Sequence, residues 1–103
     1  MVLVEVLKVS QRCYTNEDGD KLNQHILPLL RIGEKVVISF RGVDAVPSSF
    51  VNTALISLLD HFGFEYIKSH VGFKDTSRQI NEMINSRFVF EIARRMNQKD
   101  SGE

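Results

Sequence analysis

Apolar residues crowd the first stretch of the chain, where Val2, Leu3, Val4, Val6, Leu7 and Val9 are broken only by Glu5 and Lys8. A β-branched run apolar on both faces predicts a strand over Val2–Val9. Gln11 to Asp20 is polar and carries an Asp18-Gly19 turn signal, with Asn16 or Asp18 as the expected cap of the next helix. In that helix Leu22, Ile26, Leu29 and Leu30 fall on one face. Pro28 predicts a kink or an early end, and Gly33 the close. Lys35–Phe40 is nearly continuously apolar and short, the pattern of a central strand covered on both sides. Phe50, Val51, Ala54, Leu55, Leu58, Leu59 and Phe62 give the strongest helical spacing in the chain, ended by Gly63.

Phe64 to Phe73 is expected to hold a third strand, around Glu65–Ser69. A Thr76–Gln79 capping pattern then opens a helix through Ile80, Met83, Ile84, Phe88 and Ile92. Phe88 to Phe90 suits either helix or strand. Strands alternate with helices throughout. That predicts one α/β domain, a small and mostly parallel sheet with right-handed crossovers, over residues 1–97, followed by a flexible polar tail at 98–103. The expected core is Val36, Val37, Ile38, Phe40, Val43, Phe50, Ala54, Leu55, Leu58, Leu59, Ile67, Ile80 and Ile84.

Three stretches carry a family resemblance: Gly19-Asp20-Lys21-Leu22, then Glu34 to Val43 with its Phe40-Arg41-Gly42-Val43, then Val46-Pro47-Ser48-Ser49-Phe50-Val51-Asn52. In order and spacing, over roughly Asn16 to Ile84, they resemble the STAS-like bacterial domains of unknown function. That family is in turn distantly similar to the STAS domain of anti-sigma factor antagonists. There, a serine at the helix start after the central strand is phosphorylated by a kinase-like partner, and this switches partner binding. The resemblance places Ser49 at the phospho-acceptor position. Pro47 stands where the antagonists have an acidic residue, and Phe50 where they have glycine. It implies a regulatory, protein-binding module. Its partner would be a kinase-like ATPase, docked at the edge formed by Ser48, Ser49, Phe50 and Asn52. Either serine is also a natural N-cap, and a phosphate there would meet free amides and a favourable dipole. Phe50 is expected at the rim of that edge as well as in the core.

Charge narrows the classes. Lys plus Arg and Asp plus Glu number 13 each, so no field favours nucleic acid or anionic lipid. Hydrophobic residues at 43% suffice for one small core. Cys13 is the single cysteine, expected as a packed thiol in a reducing compartment. Met1 to Val9 lacks the features of a signal peptide, and no apolar run approaches the ~20 residues of a membrane span, so a cytoplasmic location is expected. His25, His61 and His70 have no ligand spacing, Asp44, Asp60 and Asp75 form no evident acid–base pair, and Gly33, Gly42, Gly63 and Gly72 are isolated. No enzyme, no cofactor and no metal site is expected. The alternative reading is a small self-associating subunit of a nucleic-acid or phage-linked system. It would use Val89 and Phe90 with the Arg87, Arg94 and Arg95 face.

Overall fold

A computed structural model of the chain describes the backbone through Ser101 and the side chains through Asn97. The strands are β1 (Val2–Glu5), β2 (Val36–Ser39) and β3 (Val71–Lys74); the helices are α1 (Val6–Val9), α2 (Asn16–Arg31), α3 (Ser48–Ala54), α4 (Phe64–His70) and α5 (Arg78–Ser101). The three strands form one wholly parallel sheet in the order β1-β2-β3. The small α/β architecture is therefore as expected. β2 is central, and Val36, Ile38 and Phe40 are buried. No described helix is long and apolar enough to cross a membrane.

The first strand stops four residues short of the expected Val9. Its ladder with β2 ends at Glu5 opposite Ser39, and the chain turns into α1, closed by Ser10 N–H donating to the Val6 carbonyl at 2.8 Å. With its only neighbouring strand ended, Val6 gains more by burying its side chain in a helical turn.

Asp18-Gly19 is not a turn but the first turn of α2. Thr15 is the N-cap, its hydroxyl accepting from Asp18 N–H while Asp18 accepts from Thr15 N–H, each at 3.1 Å. The Asp18 carboxylate also accepts from Tyr14 N–H at 3.0 Å and Ser10 Oγ at 3.2 Å. These bonds, that from Tyr14 foremost, hold its pKa below the usual carboxylate value. The helix runs one turn beyond Pro28. It ends in a Schellman motif, with Gly33 N–H on Leu30 C=O and Glu34 N–H on Leu29 C=O, at 3.1 and 3.0 Å, and with Gly33 at φ 85°.

The expected long helix from Ser48 to Phe62 breaks at Leu55. Asn23 Nδ2 takes the Ala54 carbonyl at 3.1 Å, so Leu58 N–H turns to Leu55 at 3.0 Å and a 3₁₀ stretch, Ile56–Asp60, follows. Thr53 and Ser57 hydroxyls donate to the carbonyls four residues back, which further loosens the ladder.

Glu65–Ser69 is helix rather than strand. Phe64 and Ile67 turn inward, and Tyr66 stacks on His70 with ring centroids 4.0 Å apart. Tyr66 Oη donates to the Leu30 carbonyl, tying α4 to the end of α2. The third strand comes only after it. α5 is capped by Ser77, whose hydroxyl accepts from Ile80 N–H at 3.2 Å, and not by Thr76 with Gln79. Phe88 to Phe90 is helical. Helix continues past residue 97 to Ser101; the expected flexibility of the 98–103 tail concerns side chains and terminal residues outside those described.

Ten of the thirteen expected core residues are buried, and Val37, Val43 and Leu59 are half-buried. The core also takes Val4, Val6, Leu22, Ile26, Leu30, Val46, Val51 and Phe88.

Candidate functional site

The loop after β2 delivers Ser48 and Ser49, held by hydrogen bonds from the start of α5. Gln79 on α5 clamps Val46, accepting its N–H through Oε1 and donating Nε2–H to its carbonyl, both at 2.9 Å. Ser77 Oγ donates to Asp44 C=O at 2.6 Å. Pro47, held extended at φ −83° and ψ 165°, then hands the chain to α3.

Pro47 is thus the N-cap, and no side chain caps this helix. The expected serine cap is absent because the serines lie inside the first turn, where their own amides and not their hydroxyls face the orphan positions. Ser48 is exposed, and among the described residues its hydroxyl has no hydrogen-bond partner. Ser49 is half-buried, its hydroxyl donating at a long 3.4 Å to the Tyr14 carbonyl. Tyr14 itself is 63% exposed.

Asn52 sits one turn on. Its Oδ1 accepts from Arg87 Nε at 2.9 Å, and the Arg87 guanidinium lies 4.8 Å from the Phe90 ring centroid. Phe50 leaves this surface altogether. It is fully buried, so its expected place at the rim is corrected: position 50 falls on the inward face of α3 with Val51 and Ala54. The edge that remains is Tyr14, Ser48, Ser49 and Asn52, with Arg87 and Phe90 at one end. Periodicity pointed to none of Tyr14, Arg87 or the Gln79 clamp as parts of it, because each reaches the edge across more than thirty residues of chain.

Beside Tyr14 a cavity of about 290 Å³ opens between Leu7, Cys13 and the Gly42–Ala45 loop. Cys13 is buried, and burial, then the Asp18 charge, push its thiol up to about 11. At neutral pH it is a protonated thiol and a poor nucleophile. Among the described residues no three His, Cys, Asp or Glu side chains gather as a metal site. The basic face expected on α5 is largely neutralised. Arg94 and Arg95 both hold Glu91, at 2.6 and 2.7 Å, and Arg95 also reaches Asp60 at 2.7 Å. Arg94 first, then Arg95, bring the Glu91 pKa down to about 2.

A family model described as a STAS-like domain of unknown function matches residues 18–81, more than half of the chain. The match runs from the first turn of α2 to the first turn of α5, so it contains Ser48, Ser49 and Asn52 but not Tyr14, Arg87 or Phe90. No curated protein and no solved structure matches the chain.

Proposed function

The chain belongs to the family of STAS-like domains of unknown function, and from that premise we propose that it is a regulatory module that docks a protein partner at the Tyr14–Ser48–Ser49–Asn52 edge. The observation that carries this reading is that the two serine hydroxyls are not spent on capping. Ser48 is exposed and, among the described residues, its hydroxyl has no hydrogen-bond partner, while Ser49 makes one long bond. Hydroxyls at a fixed and accessible turn suit recognition, or modification by the kinase-like ATPase that the distant STAS relation suggests. A phosphate there would add nearly two negative charges beside Tyr14. Catalysis has no place in this reading, and the protonated Cys13 thiol supports leaving it out. The unpaired cysteine suits a reducing, cytoplasmic setting.

The test is a photo-crosslinking amino acid placed at position 48 and, as control, at exposed position 35, each exposed to lysate of the native host. A partner captured at 48 alone, and lost when Ser49→Asp is added without loss of fold, is the expected result. Equal capture at both positions, or none, sinks the proposal.

Self-association is the second reading, favoured by Val89, Phe90 and Met96, which are 60%, 54% and 62% exposed on α5. The neutralised arginines lend no support to its nucleic-acid variant. A concentration-independent monomer mass removes it.

A further inference from the structure

β3 is an edge strand: among the described residues only β2 pairs with it. Phe40 N–H donates to the Lys74 carbonyl at 3.0 Å, which fixes Lys74, and by alternation Gly72, as the residues whose backbones face β2. Phe73 N–H and C=O therefore point outward, and among the described residues neither has a hydrogen-bond partner. Val71 N–H is taken by the Ile67 carbonyl, leaving its own C=O free. Alongside this edge lies an apolar groove of about 260 Å³ between β3, α4 and α5, floored by Leu55, Ile67, Ile84 and Phe88. It is smaller than drug-sized ligand pockets, which begin near ~300 Å³, and fits a single bulky side chain. Its rim carries Lys68 and the carboxamides of Asn81 and Asn85. Among the described residues neither carboxamide makes a hydrogen bond, and no carboxylate pairs with Lys68.

An open strand edge beside a side-chain-sized apolar pocket is the geometry of strand addition, where main-chain bonds give affinity and the pocket gives selectivity. We infer that the β3 edge binds an extended peptide segment of a partner protein, one bulky apolar side chain filling the groove and an acidic residue nearby meeting Lys68. The peptide forms a fourth strand on Phe73. Lys68 at the rim chooses an acidic segment over a basic one, by charge complementarity. A groove this narrow beside a strand takes an extended chain and not a helix, because a helix would leave Phe73 N–H and C=O without partners. This surface is separate from the serine edge and stands without it.

The experiment selects random linear peptides displayed on phage against the full chain, then measures the enriched peptides by fluorescence anisotropy. Enriched sequences are expected to hold a large apolar residue with Asp or Glu close by. Two substitutions at one position isolate the backbone: Phe73→Ala and Phe73→Pro both remove the ring, but only proline removes the outward N–H. Proline is tolerated at such an edge because that N–H belongs to no ladder. Phe73→Pro should bind about tenfold more weakly than Phe73→Ala, the loss of one well-placed hydrogen bond. Exposed Lys68→Glu should weaken acidic peptides and spare their neutral variants. The double change Ser48→Asp, Ser49→Asp should leave peptide binding untouched, so the two proposals fail separately. No enrichment, equal affinity of the two Phe73 variants, or peptides blocked by the serine changes would each overturn the inference. So would a dimer of the free chain that Phe73→Pro abolishes and Phe73→Ala preserves, since the occupant would then be a second copy.

Discussion

Gly19 touches Phe50 backbone to backbone: a Cβ added at Gly19 would lie 2.7 Å from the Phe50 carbonyl oxygen and 3.0 Å from Thr53 Cβ. Helix α2 crosses α3 at this point, directly behind Ser48 and Ser49. In an open helix, glycine to alanine gains up to about 1 kcal/mol. Here the sign reverses, because the added methyl meets backbone that cannot step aside. Gly19→Ala is expected to cost about 1–3 kcal/mol, as overpacking does. Urea unfolding monitored by circular dichroism measures it, and an unchanged or raised midpoint contradicts the close crossing.

Ser49→Ala should be nearly silent for stability, within about 0.5 kcal/mol, because the hydroxyl caps nothing. A capping serine would instead cost about 0.5–2 kcal/mol. A thermal melt separates the two, and a loss at the upper end would mean that the 3.4 Å bond to Tyr14 matters more than its length suggests.

Pro28 is exposed within α2 and denies Gln24 its helical partner. Its replacement restores one hydrogen bond and removes the clash of the ring with the preceding turn. Pro28→Ala should stabilise the protein by about 1–3 kcal/mol. A lower urea midpoint would show that Pro28 packs in a way its exposure does not suggest.

Acid should weaken the junction of α5 with the 3₁₀ stretch. Glu91 in the folded protein has its pKa lowered from 4.5 to about 2, through Arg94 and then Arg95. A lowered folded-state pKa adds stability that is full above the unfolded value and is lost as pH falls through the folded one. The contribution of Glu91 should thus fade between pH 4.5 and about 2. Asp18, lowered chiefly by the Tyr14 amide, acts with the same sign. Glu91→Gln should be less stable than the parent at neutral pH, and the gap should close on acidification. A gap independent of pH would assign the effect to packing.

What the sequence shows depends on the range over which each signal acts. Lys35–Phe40 is legible as the central strand because burial on both faces imprints every position. The Ser48–Ala54 helix is legible because Phe50, Val51 and Ala54 repeat at helical spacing. Phe64–His70 misleads as a strand, since Phe64, Tyr66 and Ile67 are residue types that favour strands. The signals that settle it, Phe64 with Ile67 and Tyr66 with His70, span one helical turn and compete on equal terms with that composition. The break at Leu55 was not legible, because its cause is Asn23, more than thirty residues upstream. At the site, the serines and Asn52 were readable from local order. Their partners Tyr14 and Arg87 were not, nor was the burial of Phe50, which depends on the turn that α3 presents to α2.

The parallel sheet has a consequence for how the chain must come together in time. Val2 pairs with Val36, and Val36 with Val71, so paired residues lie more than thirty positions apart. There is no hairpin to nucleate on. Closing either strand pair first would order a long loop for a handful of hydrogen bonds, an entropic cost that local contacts do not carry. The α2–α3 crossing at Gly19 closes a loop almost as long. It packs two segments with their own local helical bonds along buried apolar faces, however, and so returns more for that cost. It is the natural early contact, and the sheet closes around it late. Stopped-flow kinetics can read this order. Leu22→Ala, on the inner face of α2, should chiefly slow folding, while Val37→Ala on the central strand should chiefly speed unfolding. The reverse pattern would mean that the strands meet first and the helices are folded onto them.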